Sequence, residues 1–192
     1  MRLFIAVDPD TTARAAIWAS VAWLRERVEC RPGGLSGSVT WVDERNLHLT
    51  VYFLGEIEDA RVPTLQSSLA RPLGIEPAAV GFGGWGVFPS HGPTRVVWIG
   101  VTDGLSSLER AHALLGERLA AFGVAREARR FSPHLTVGRV KAPSAGVLRD
   151  LVAGGEVRVE ARCTVTQCTL YRSRLSPDGA TYEALVHTPF QS

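Results

Sequence analysis

Cysteine is scarce in this sequence: Cys30, Cys163 and Cys168 are three among 192 residues. An odd number without a CxxC spacing argues against a disulfide framework and against a thiolate zinc site. If Cys163 and Cys168 shared one strand, their five-residue spacing would turn them to opposite faces. Lysine is scarcer still. Lys141 stands alone, so 20 of the 21 basic residues are arginine. With a formal net charge of only +2, that bias reads as codon usage in the host rather than as a nucleic-acid surface. The local run Arg126, Arg129, Arg130 and Arg139 reads as a solvated face, although guanidinium forks suit phosphate. Long apolar runs are missing too. The opening run ends at Asp8, short of a signal-peptide core, and no later stretch approaches the ~20 residues of a transmembrane helix. These absences predict a soluble cytoplasmic protein with no membrane partner.

What the chain does contain is a repeat. His48-Leu49-Thr50-Val51 recurs as His134-Leu135-Thr136-Val137, each copy inside a strand-like run. Five histidines make a coincidental match of three following residues an event on the order of 0.003. One such tetrapeptide alone would read as a structural histidine in a core strand; two copies read as half-sites facing one substrate.

Around the repeat, hydrophobic spacing and turn residues predict a mixed chain. A strand over 2–7 leads to a helix capped by Asp10 or Thr11, with Ala16, Ile17, Val21, Trp23 and Leu24 on its apolar face. A Gly/Ser-rich loop at 31–38 precedes a short strand at 39–42 and the first motif strand at 47–54. Helices are predicted over 59–69, over 104–122 with Gly123 as its stop, and near 144–152. Strands are predicted around 79–88, 95–101, 134–140, 157–164 and 166–171, and a final hairpin turns at 176–179 and returns along 181–187. Each motif strand thus belongs to its own α+β half, and an ancient duplication predicts related strand orders in the two.

On a strand, residues i and i+2 share a face, so His48 points with Thr50, and His134 with Thr136, while the leucines and valines face a core. A cleft between the two strands gives the polar groups a place that a core would not. Two imidazoles and two hydroxyls there fit phosphodiester cleavage without metal or cofactor. In-line displacement needs a base beside the entering oxygen and an acid beside the leaving one. Imidazole serves both roles near neutral pH, and threonine hydroxyls donate to oxygens where charge accumulates. Zinc would need further ligands at close spacing, and a serine-hydrolase reading lacks a GxSxG elbow. His91, His112 and His187 read as solvated surface positions. Tyr52, by alternation, continues the polar face and offers a ring for base stacking.

These residues resemble the two-histidine phosphoesterase superfamily, in particular the RNA 2′,3′-cyclic phosphodiesterases also called 2′-5′ RNA ligases. The likeness extends from Arg2-Leu3-Phe4-Ile5-Ala6 through both motifs, Phe53-Leu54-Gly55, Trp98 and Gly138-Arg139 to Leu170-Tyr171-Arg172-Ser173, Gly179 and Tyr182. It implies a bilobal α+β fold, a single domain over 1–192 whose two pseudo-symmetric lobes line a central cleft with antiparallel sheets, helices outside. It also implies hydrolysis of an RNA terminal 2′,3′-cyclic phosphate to a 2′-phosphate, with His48 as proton donor and His134 as proton acceptor; apart from the resemblance, a monomer without an obligate protein partner is expected. Thr50, Thr136 and Arg139 would bind the phosphate. Strict alternation turns Arg139 away from His134, so that role requires a bend at Gly138 or the end of the strand. RNA 2′-5′ ligation, cleavage of 2′-5′ linked oligonucleotides or small cyclic nucleotides, and a non-catalytic RNA-end-binding module are the alternatives.

Overall fold

The computed structural model describes residues 1–30, 37–124, 130–144, 147–154, 159–176 and 179–191. Arg126 and Arg129 of the predicted arginine run, and Pro177-Asp178 of the predicted hairpin turn, lie outside them. The elements in chain order are β1 (Arg2–Val7), α1 (Thr11–Glu29), β2 (Val39–Trp41), β3 (Leu49–Glu56), α2 (Val62–Leu69), β4 (Ala78–Phe88) and β5 (Thr94–Asp103). There follow α3 (Leu105–Ala120), β6 (His134–Ser144), α4 (Val147–Ala153), β7 (Ala161–Val165), β8 (Gln167–Ser176) and β9 (Gly179–Pro189).

Local chemistry accounts for the helices. Asp10 caps α1, its Oδ1 accepting from the Ala13 amide at 2.8 Å, as an N-cap carboxylate should. The buried stripe of α1 is Ala13, Ile17, Val21, Leu24 and Val28, a four-four-three-four spacing that leaves Ala16 outside, contrary to the sequence expectation. Trp23 is half-buried instead, with the Arg27 guanidinium 4.2 Å from its ring. α3 buries Leu108, Ala111, Leu115 and Leu119 after a left-handed Gly104.

All strand pairings are antiparallel, in the order β7-β4-β5-β6-β3-β1-β8-β9, with β2 added on β6. Read outward from the β6/β3 junction, β6-β5-β4 matches β3-β1-β8. Along the chain, β1-α1-β3-α2-β4 recurs as β5-α3-β6-α4-β8. The strand orders are therefore related by a pseudo-twofold, as a duplication predicts. Each repeat places its last strand in the other lobe, so β4 completes the lobe of β5 and β6 while β8 completes that of β1 and β3. That exchange ties the halves together. At the junction the lobes meet through one register pair, Leu49 with Leu135, both fully buried. The strands together form one curled, half-barrel sheet.

Candidate active site

Each motif histidine is fixed by the same reach-back. Nδ1 of His48 lies 2.8 Å from the Asn46 carbonyl oxygen, and Nδ1 of His134 lies 2.7 Å from that of Ser132. A carbonyl oxygen only accepts, so both Nδ1 atoms carry hydrogen, and both Nε2 atoms remain to give or take a proton. The turn before His48 is itself anchored. Arg14, from the first turn of α1, donates to the carbonyls of Glu44 at 2.9 Å, Leu47 at 3.2 Å and Pro9 at 3.2 Å.

The Leu49–Leu135 pair decides how the motifs face each other. Around an antiparallel pair, the residue before one partner faces the residue after the other. His48 is thereby set toward Thr136 and Thr50 toward His134, all four half-buried on the face opposite the leucines. The structure therefore brings together the four residues predicted from the repeat.

Beyond the threonines both strands carry a bulge at the same place. On β1, Ala6 pairs with Thr50 and Ile5 with Tyr52, so Val51 is the extra residue. On β5, Trp98 pairs with Thr136 and Val97 with Gly138, so Val137 is the extra residue. A bulge adds one residue and inverts the alternation after it. Arg139 consequently shares the face of His134 and Thr136, exposed, which removes the geometric objection that strict alternation raised. The same inversion overturns the reading of Tyr52 as a base-stacking residue. Its side chain is 1% exposed, its ring stacked on His112 at a centroid distance of 5.1 Å and packed against Gly116 of α3. Phe53, 57% exposed, takes the cleft face in its place. Phe53 and Arg139 are thus twofold counterparts, each five residues past its histidine.

The walls around the two imidazoles differ. His48 lies against Phe4 at 4.9 Å and edge-on to Tyr182 at 5.1 Å, and Phe4 stacks on Tyr171 at 5.4 Å. His134 lies edge-on to Phe88 at 5.0 Å and 6.1 Å from Trp98, whose indole covers Gly86 where a Cβ would fall inside the ring. Burial pushes the His48 pKa below its ordinary value; the hydrogen bond to the Asn46 carbonyl and the Asp8 carboxylate pull it up, while Arg139 and Arg14 push it down. Arg139 also favours the ionised form of Tyr182, whose burial pushes its pKa up. Arg139, a residue of the second motif strand, therefore acts electrostatically on the first half-site, across the seam.

Among the other histidines, His91 and His187 are exposed as expected, His187 holding its Nδ1 3.0 Å from Thr169 Oγ1. His112 is not a solvated position: its ring sits between Tyr52 and Phe131, 4.5 Å from the latter. Phe4, Phe53, Phe88 and Tyr182, together with Asp8 and the Arg14 anchor, are site components that the motif pattern does not disclose. Among the described residues, no three or more His, Cys, Asp and Glu side chains converge as a metal site would require.

Comparison with known proteins matches this geometry. The sequence profile of the family described as the 2′-5′ RNA ligase superfamily matches residues 12–176. A protein of Archaeoglobus fulgidus named RNA 2′,3′-cyclic phosphodiesterase is 35% identical over 185 residues, covering 96% of this chain and 98% of that one. Among solved structures, TT0787 of Thermus thermophilus superposes with a TM-score of 0.69 at 29% identity, over 100% of this chain and 98% of that one. E. coli LigT complexed with 3′-AMP superposes with a TM-score of 0.71, again over 100% and 98% of the chains. At 23% identity the LigT likeness speaks for the fold alone.

Proposed function

The chain belongs to the 2′-5′ RNA ligase superfamily, and from that premise we propose that it is an RNA 2′,3′-cyclic phosphodiesterase that opens the cyclic phosphate to a 2′-phosphomonoester without metal. The observation that carries this reading is the pair of imidazoles held by matching Nδ1–H···O=C bonds on either side of one seam. Nε2 of His134 takes a proton from water as the water oxygen bonds to phosphorus. The bond from phosphorus to the 3′ oxygen breaks, and Nε2–H of His48 protonates that oxygen. Thr50 and Thr136 donate to the non-bridging oxygens, where negative charge accumulates, and Arg139 adds a charged fork on the same face. Phe53 offers the terminal nucleobase an exposed ring, a contact worth about 1–3 kcal/mol per base.

In this reading residues 1–192 act as one catalytic domain, a monomer in the cytoplasm, on RNA with a cyclic-phosphate end or on a small cyclic nucleotide. No described helix is long and apolar enough to cross a membrane. The test is turnover of an oligoribonucleotide ending in a 2′,3′-cyclic phosphate, with EDTA present, followed by identification of the product. Conversion to the 2′-phosphate by the parent, and its loss in both His48→Ala and His134→Ala, is the expected result. Activity abolished by EDTA, or retained in both variants, overturns the proposal. Saturable binding without turnover would leave an RNA-end-binding module, and a joined 2′-5′ product would make the enzyme a ligase.

A further inference from the structure

The two motif histidines have unlike strand neighbours. On β5, Gly100 is the register partner of His134. Val7 pairs with Leu49 as Ile99 pairs with Leu135, so the twofold sets Asp8, the next residue, beside His48 where Gly100 stands beside His134. One half-site has a carboxylate at this position and the other has no side chain at all. Asp8 is half-buried and accepts a hydrogen bond from the Tyr171 hydroxyl at 2.8 Å. Tyr171 in turn stacks on Phe4, which packs on His48. The carboxylate is thus aimed from behind the ring wall rather than left on a mobile surface side chain.

We propose that Asp8 is the positioning residue that makes the half-sites unequal: its carboxylate, set beside His48 where His134 has only Gly100, favours the proton-bearing form of that imidazole and so suits His48 to the acid's part and His134 to the base's. This rests on the two-histidine reaction proposed above. The groups that act on His48 are Asp8 at the end of β1, Arg14 on α1, Arg139 on β6 and the Tyr182 ring on β9, with Tyr171 on β8 behind Asp8. Both arginines oppose protonation of His48, as does burial, and Asp8 is the acidic side chain that works against them. Without it, the half-buried His48 imidazole would face two guanidinium groups with no carboxylate set against them.

The test is Asp8→Asn, which keeps the size of the side chain and an oxygen for the Tyr171 hydroxyl. Two readouts are needed. In the free protein, NMR titration of the imidazole Hε1 signals should show His48 titrating at lower pH than in the parent and His134 unmoved. In turnover, the alkaline limb of the kcat/KM profile, which reports loss of the acid's proton, should move to lower pH. At a pH above the parent's limb, kcat/KM should fall on the order of tenfold, with little change on the acidic limb. Asp8→Glu should restore part of the loss. Tyr171→Phe, which leaves the carboxylate its full charge by removing its donor, should move the same limb the opposite way.

Three outcomes overturn the proposal. They are an unmoved His48 titration in Asp8→Asn, a shift of the acidic limb instead, and a uniform loss of activity with both limbs in place in Asp8→Asn and Tyr171→Phe. If the parent turns over no cyclic phosphate, the functional reading fails. The NMR titration still decides whether Asp8 governs His48.

Discussion

The first half-site is enclosed and charged, whereas the second is lined by glycine and indole. His48 has Phe4 and Tyr182 against it, Asp8 beside it, Arg14 holding the turn before it and Arg139 reaching it from the other lobe. His134 has Phe88, Trp98 and Gly100. Yet both share a reach-back hydrogen bond, a threonine two residues on and a bulge after it. The pseudo-twofold relates the shared backbone, and a handful of differences at twofold-related positions sets the half-sites apart: Asp8 against Gly100, Tyr52 against Gly138, Phe53 against Arg139. A cyclic-phosphate end is itself unsymmetrical, with a water entering on one side of phosphorus and an alkoxide leaving on the other. A symmetric scaffold with unequal furnishings suits it.

The sharpest way to break this comparison is to remove each imidazole and then ease one half of the reaction. His48→Ala and His134→Ala should each cost about 10² to 10⁴ in kcat, the usual worth of an acid or base. A cyclic substrate whose 3′ bridging oxygen is replaced by sulfur expels a thiolate that needs no proton. Such a substrate should recover His48→Ala and leave His134→Ala impaired. Recovery of the other variant would reverse the roles assigned to the two sites.

Tyr52 and Phe53 offer the next test, because adjacent residues are assigned opposite jobs. Tyr52→Ala empties a buried site beneath α3 and should cost about 3–5 kcal/mol of stability, read as a lower midpoint in urea, with KM little altered in the folded protein. Phe53→Ala should leave the midpoint in place and raise KM about five- to a hundredfold, the equivalent of one lost base stack. If the two swap outcomes, the bulge has been placed on the wrong side of Val51.

Arg139 tests whether one half-site serves the other. Its guanidinium lies on the second motif's face but acts on His48. Arg139→Gln should lower kcat/KM about ten- to a hundredfold through the lost charged hydrogen bonds to phosphate. It should also move the alkaline limb of the pH profile upward, because a cation that disfavours protonated His48 is gone. Arg139→Lys should keep the limb in place while losing part of the rate, since an ammonium supplies the charge without the fork. A limb unmoved in Arg139→Gln would confine that arginine to its own lobe.

Much of this was legible in the chain. The repeat alone pointed to the four residues at the seam, because period-2 alternation from a histidine to a threonine is short enough to survive any later irregularity. The helices followed from spacing and caps. What alternation could not see was the bulge: Gly138 allowed a bend in the second motif strand, but nothing in the letters Val51-Tyr52 announces that the first gains a residue against its neighbour. One error, at Tyr52, and one unresolved placement, at Arg139, followed from that single cause. The aromatic walls were hidden for another reason. Phe4, Phe88 and Tyr182 come from three different strands, and their convergence depends on the exchange of β4 and β8 between lobes, which no local pattern records. Asp8 fell in the same gap, since its meaning comes from the register of β1 on β3.

The smallest expected effect concerns stability rather than rate, and it follows from how deeply His48 is enclosed. Burial lowers its folded-state pKa below the 6.5 of a free imidazole. Wherever the unfolded chain binds a proton that the folded protein does not, stability falls as the solution is acidified. The contribution of a neutral, buried His48 is therefore complete above about pH 6.5, the unfolded value, and is lost as the pH drops through the lower folded one. The difference in urea-unfolding free energy between the parent and His48→Gln isolates this dependence from the carboxylates, which titrate alike in both. That difference should be constant above neutrality and move against the parent as the pH falls below about 6.5. A difference that stays flat would mean the first half-site is as open to water as any surface histidine, and one that moves in the parent's favour would mean that Asp8 outweighs burial and both arginines together.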